Sequence, residues 1–282
     1  MDQRLAELLR LLDLERLEIN VFRGDSRDIG SPQVYGGQVL GQALKAAYLT
    51  VEGHRPVHSL HAYFLRRGDF NAPIDYVVDR SRDGQHFVSR RVTAIQHGAQ
   101  IFNLSASFQS EEAGLAHQQD MPRVPPPEEL PVFVPRGLSG NDPPASRMDD
   151  FIAQRPIEFR AVPATAAADH CLWMRTVDRL PDDELLHRCL LAYASDFHLL
   201  ATALVAHQAA LASSKLVVAS IDHAMWFHRS VRMDDWLLYV TDSPSASGAR
   251  GFARGSIFDR AGRLVASIAQ EGLMRVIAPT QH

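Results

Sequence analysis

Asp196 is the residue of this chain whose type and setting most invite chemistry. It stands in LLAYASDFHLLATAL (191–205), an apolar run that reads as the start of a helix, directly after a serine. Two roles fit a carboxylate there. As a helix N-cap it would accept backbone N–H bonds and add about 1 kcal/mol of stability. As a general base it would take a proton from a water at hydrogen-bond range, a service typically worth ~10²–10⁴-fold in rate. Local sequence alone favours the cap. Other reactive groups are less organised. His54, His58 and His61 are close together, but residues three apart on a strand face opposite ways, so His58 and His61 do not form a metal clamp. The two cysteines, Cys171 and Cys189, lack metal-site spacing, are too few for a disulfide framework, and read as buried thiols.

The elements that must position such a group belong to a globular protein. At 282 residues, 46% hydrophobic and 22% charged, the chain can bury one large core or two ordinary ones, and disorder is expected only locally. A net charge of −4 with no basic face argues against nucleic acid as a partner. There is no run of 18 apolar residues, and MDQRLAELLRLLDLERLE at the N-terminus reads as a charged amphipathic helix without a signal peptide's apolar core. The C-terminal IAPTQH lacks a Ser-Lys-Leu type of address. A cytoplasmic protein without a membrane partner is expected.

Residues 111–165, rich in Pro, Gly and charge, read as a connector between two similar halves, 1–110 and 166–282. HAYFLRRGDFNAPIDYVV (61–78) lies over HAMWFHRSVRMDDWLLYV (223–240) without a gap, pairing His61 with His223 and Arg67 with Arg229. After a shift of two, SRDGQHFVSR (81–90) falls on SASGARGFAR (245–254), so Arg90 matches Arg254, and Gly98 falls on Gly262. Each half offers a helix of small and apolar residues followed by strands rich in Val, Ile, Phe, Tyr and Trp. In helix 35–50, YGGQVLGQALKAAYLT, the Gly and Ala residues are expected to let a sheet wrap closely. The predicted class is α+β, two tandem repeats, each a helix wrapped by a curved antiparallel sheet.

Six blocks in order, YGGQVLGQAL, HSLHAYFLRRGD, SRDGQHFVSRRV, YASDFHLL, IDHAMWFHR and LVASIAQEGLMR, resemble the acyl-CoA thioesterase II family. The resemblance covers almost all of the chain outside the connector. It implies a double hotdog fold, hydrolysis of acyl-CoA to free acid and CoA without cofactor or metal, and homo-oligomerisation. It also implies that Asp196, Ser220 and Gln270 hold the attacking water, which turns the reading of Asp196 from cap to base. The family's hydroxyl is often Thr; Ser keeps the donor and lone pairs but has a freer rotamer. Backbone N–H groups at the start of a hotdog helix suit the charge that develops on the thioester carbonyl. In the ungapped register His58 lies opposite Ser220, and the first half's helix offers Gln38 and Gln42 but no acid. One complete site per chain is therefore expected, with His58, Gly37 and Gln38 on the substrate side. Among Arg66, Arg67, Arg90, Arg91, Arg229, Arg250 and Arg254, sequence does not select those that grip the CoA phosphates. An enoyl-CoA hydratase of this fold resembles Asp followed five residues later by His, where Ala201 stands. An acyl-CoA sensor without turnover leaves the three polar groups unexplained.

Overall fold

The computed structural model describes residues 1–31, 33–133, 155–163, 170–207 and 215–277; much of the expected connector, 134–154, lies outside the described residues. In chain order the elements are α1 (Gln3–Leu11), β1 (Glu15–Glu18), β2 (Val21–Gly24), α2 (Gly36–Tyr48), β3 (Val57–Phe64), β4 (Ile74–Asp83), β5 (Phe87–Gln96), β6 (Ala99–Gln109), β7 (Ile157–Ala161), β8 (Cys171–Thr176), α3 (Glu184–Ser195), α4 (Leu199–Val205), β9 (Lys215–Ser220), β10 (Asp222–Phe227), β11 (Leu237–Ser247), β12 (Arg250–Asp259) and β13 (Leu264–Ile277). The strands form one sheet in the order β1-β2-β4-β5-β6-β3-β10-β13-β12-β11-β8-β7, with β9 also pairing β13. The two halves join at β3 and β10, which run antiparallel with Ala224 opposite His61 and Met225 opposite Leu60.

Alternation places the strands. In β5, Val88, Arg90, Val92, Ala94 and Gln96 point inward while the residues between them are more exposed. The inward faces of β4, β5 and β6 close over α2, and those of β11, β12 and β13 close over α4. α3 packs along α2, so the two halves meet helix to helix as well as strand to strand. This changes the reason for the small residues of α2. A Cβ on Gly37 would fall 2.1 Å from the Tyr193 carbonyl, and one on Gly41 3.1 Å from that of Cys189. At these two glycines the close approach is to α3, while α2 as a whole still packs under β4, β5 and β6.

The run 191–205 is not one helix. Asp183 caps the start of α3, accepting from the N–H groups of Leu185 and Leu186 at 3.0 and 3.3 Å. α3 ends at Ser195, Asp196 keeps αR geometry at its C-terminus, and His198 turns into the left-handed region at φ 65° before α4 begins. Asp196 is therefore no N-cap. Residues Glu184–Val205 are long and apolar enough to cross a membrane, but 72% of their most apolar window is buried within the protein. Cys171 and Cys189 are both buried, and burial pushes the Cys189 thiol up to about 12.

The repeat register also needs correcting by one residue. The N–H groups of Leu65 and Arg66 both bond the Ile101 carbonyl, and those of His228 and Arg229 both bond that of Val265. Arg229 thus corresponds to Arg66, not Arg67. A one-residue slip exchanges the two faces of a strand, which is why His61 is exposed while His223 is buried. Likewise Arg90 points inward, tied to Thr50 and Asp83, whereas Arg254 points outward to Asp242. The same spacing puts Val57, not His58, at the place of Ser220.

Between the halves, the described residues from Gln118 to Leu130 run against the second half's strands of the sheet. Trp173 donates its indole N–H to Pro125 O at 3.0 Å, and Gln118 Nε2 donates to Gly262 O at 2.8 Å. Met121 and Val124 pack there on a small outer cluster of Trp173, Trp236, Leu238 and Phe258.

Candidate active site

Three elements of the second half converge on one amide. Gln270, fully buried on β13, donates from Nε2 to Asp196 Oδ1 at 3.0 Å and to Ser220 Oγ at 2.6 Å. Asp196 arrives from the C-terminus of α3, and Ser220 is the last residue of β9, where it pairs with Gly272. Because side chains two apart share a strand face, Gln270 lies on the same face as Gly272 and reaches the Ser220 hydroxyl.

The first half supplies the fourth wall. A Cβ on Gly36 would lie 2.7 Å from Asp196 Oδ2, so the carboxylate rests against the N-terminal turn of α2. The first N–H groups of a helix have no acceptor within it and carry the positive end of its dipole. A negative charge beside Gly36 therefore meets complementary polarity. Its N-cap, Tyr35, makes no side-chain cap bond to that turn, and the Tyr35 hydroxyl instead donates to Tyr193 O at 3.0 Å. Burial, reinforced by the Asp196 charge, pushes the Tyr35 and Tyr239 phenols well above their ordinary pKa, so both stay protonated.

Two hollows flank this point. One, about 790 Å³ including its open mouth, is lined by Ser220, Gly36, Val39, Phe64, Arg66 and Arg67 among others. The other, about 610 Å³ on the same measure, is lined mainly by apolar and aromatic residues, Tyr35, Ile157, Phe159, Tyr193 and Phe197 among them, with Arg27, Asp28 and Arg155 also on its wall. A bound group passing Gly36 and Asp196 would have a basic rim on one side and an aromatic pocket on the other.

Along nearly its whole length the chain is similar to known acyl-CoA thioesterases. Residues 23–109 match the family model described as acyl-CoA thioesterase N-terminal domain, and residues 144–273 match that of acyl-CoA thioesterase. Acyl-CoA thioesterase 2 of Haemophilus influenzae is 40% identical over 98% of this chain and 99% of its own. The chain belongs to the acyl-CoA thioesterase II family. Human acyl-coenzyme A thioesterase 8 is 38% identical over 98% of this chain and 91% of its own. Among solved structures, the acyl-CoA thioesterase II TesB2 of Mycobacterium marinum aligns with a TM-score of 0.81 and 42% identity over 98% of this chain and 99% of that one. A hot dog fold protein of Alicyclobacillus acidocaldarius, TM-score 0.76 at 19% identity over 97% of this chain and 99% of that one, shares the fold. The double hotdog expectation is met.

Of the residues singled out from sequence in this thioesterase II chain, Asp196, Ser220, Gln270 and the start of α2 at Gly36-Gly37 come together. Gln38 and His58 do not join them. The Gln38 amide is buried and donates to Asp25 O at 3.2 Å, while its oxygen accepts from Arg27 N at 3.3 Å, so it fastens the segment after β2 to α2. His58 bonds Ser107 Oγ at 2.8 Å in the counterpart cleft, beside Val57, Arg188, Phe227, His228 and Arg229. There Val57 takes the place of Ser220, and Ala106, paired with Leu60, that of Gln270. The register slip explains why His58 was expected at the site.

The arginines separate as well. Arg90 is buried, Arg250 and Arg254 are paired with Glu271 and Asp242, and Arg229 holds Leu264 O in the other cleft. Arg66 and Arg67 are exposed on the cleft that contains Ser220, where Arg66, like its counterpart Arg229, also holds a backbone oxygen, that of Gln100 at 2.6 Å. Among the described residues, His54, Glu111 and Glu184 come within 4.8 Å of one another, a spacing that could hold a cation. Glu184 there is already engaged by Arg188 and Ser230, and the cluster lies by the counterpart cleft. Sequence reasoning passed over His223, whose buried ring touches Gln270. Its signal was present in the IDHAMWFHR block but was spent on the false match with His61.

Proposed function

We propose that this chain hydrolyses acyl-CoA thioesters to free acid and CoA with a water held by Asp196 and Ser220. The observation that carries this is the Gln270 amide bridging the Asp196 carboxylate and the Ser220 hydroxyl beside the N-terminus of α2. Both hydrogens of that amide are used. The Ser220 hydrogen and the Asp196 lone pairs are left to hold a water, which accepts from Ser220 and donates to Asp196. Its remaining lone pair faces the thioester.

In the reaction the water oxygen adds to the carbonyl carbon while Asp196 takes its proton. The tetrahedral oxyanion is stabilised by N–H groups of the first turn of α2, at Gly36 and Gly37. Collapse breaks the C–S bond, and the sulfur leaves with the proton that Asp196 received. The basic rim at Arg66 and Arg67 suits the CoA phosphates, and the pocket at Tyr35, Phe159 and Phe197 suits the acyl chain.

The units 1–110 and 166–282 act as one enzyme joined by the connector 111–165, a cytoplasmic homo-oligomer with one site per chain. Purified Asp196→Asn should lose thiol release from palmitoyl-CoA by about 10²-fold or more at unchanged circular dichroism. Wild-type turnover would overturn the reading, and binding without CoA release by the wild type would make the protein a sensor instead.

A further inference from the structure

A glutamine amide has two faces of nearly equal shape and opposite polarity. Turned over, Gln270 would put its oxygen against the Asp196 carboxylate and leave the Ser220 hydroxyl without a donor. While Asp196 is ionised, its charge opposes the flip. Once it has taken the water's proton, that preference weakens in the middle of the reaction.

His223 lies behind the amide. On β10 and 1% exposed, it places Nδ1 3.2 Å from Gln270 Oε1 and Nε2 2.9 Å from Ser195 Oγ. A carbonyl oxygen only accepts, so Nδ1 must carry the ring's proton. Burial, its largest influence, lowers the His223 pKa against the pull of the Asp196 charge and keeps the ring neutral. Nε2 is then an acceptor, and the Ser195 hydroxyl donates to it rather than to Ala192 O, 2.9 Å away. The donors run in one direction, from Ser195 to His223 to Gln270 and on to Asp196 and Ser220. Ser195 and Asp196 are consecutive, so the path closes on the end of α3.

We propose that His223 is a positioning residue whose Nδ1–H locks the Gln270 amide with its N–H face on Asp196 and Ser220 throughout turnover. The proposal rests on the catalytic reading given above. His223 touches neither water nor thioester and acts only through Gln270. The Ser195 bond fixes the imidazole tautomer, and Gln270 passes that polarity to the water site.

The test compares His223→Leu, His223→Asn and His223→Gln in the full chain, reading kcat and KM with palmitoyl-CoA and melting by circular dichroism. His223→Leu should lower kcat by about 10–100-fold, the scale of a misplaced catalytic group, and leave KM within about threefold. The amide of Asn reproduces an N–H near Nδ1 and should restore kcat to within about tenfold of wild type. The longer Gln extends toward Ser195 and should track Leu. If His223 served packing alone, Gln, nearer in size, would do at least as well as Asn. That order, or a folded Leu variant with wild-type kcat, would overturn the proposal, and the Asn and Gln pair decides it should the Leu variant fail to fold. Asp196→Asn assayed alongside separates the two claims. Turnover there removes the catalytic reading, whereas an inactive Asp196→Asn beside a wild-type His223→Leu removes only the role of His223.

Discussion

Ser220 makes up by hydrogen bonding for the methyl group it lacks. A threonine is held by its branched rotamer, whereas this serine is held by the Gln270 amide at 2.6 Å. His198, two residues from Asp196, carries a different constraint. It is packed against Phe133 and Phe197, and burial, with His170 and Arg155 adding to it, lowers its pKa to about 4 from the ordinary 6.5. The folded ring refuses a proton that the unfolded chain accepts, so the stability it confers is complete above pH 6.5, falls as pH drops toward 4 and levels off below. At 1.36 kcal/mol per unit this amounts to about 3 kcal/mol. His198→Asn keeps a residue that tolerates φ 65° and removes the titration. Melting temperatures at pH 7 and pH 4.5 should differ less in this variant than in wild type, and an equal difference would show that His198 carries no such linkage.

The α2–α3 crossing positions the carboxylate. α3 delivers Asp196 at its C-terminus, and α2 offers its N-terminal turn only because the two helices approach closely at Gly37. Gly37→Ala would set a methyl 2.1 Å from the Tyr193 carbonyl, a backbone atom that cannot swing aside. The helices must separate, at a cost of about 3 kcal/mol by the scale of overpacked cores. Thermal melting should fall accordingly, and kcat should fall with it because α3 moves Asp196 away from Gly36. The small residues of YGGQVLGQAL were legible as a need for close approach. Their partner was not, since a glycine in sequence says that something comes near without saying what.

Joining two hotdog units into one sheet through β3 and β10 leaves two clefts related by the repeat, of which one holds the polar set. The other has Val57 and Ala106 where Ser220 and Gln270 stand, and Leu49 rather than an acid caps the end of its helix. Calorimetry with a non-hydrolysable acyl-CoA thioether should therefore give one ligand per chain, and two equivalent ligands would contradict the asymmetry.

Hydrophobic alternation and the apolar helices were sufficient to suggest two sheet-wrapped helices, and the family resemblance carried by six sequence blocks singled out Asp196, Ser220 and Gln270, which the fold brings together. Such information is local or carried by residue type, and it survives small errors of alignment. The repeat register, the break at His198, the contact of Asp196 with Gly36 and the ring of His223 behind Gln270 emerged only on packing. A strand's pattern repeats every two residues, so sliding a weakly matched repeat by one alters few identities yet turns every side chain to the opposite face. Asp196 and Gln270 are 74 residues apart in sequence, and only the stacking of three elements against a helix from the other half brings them within 3.0 Å.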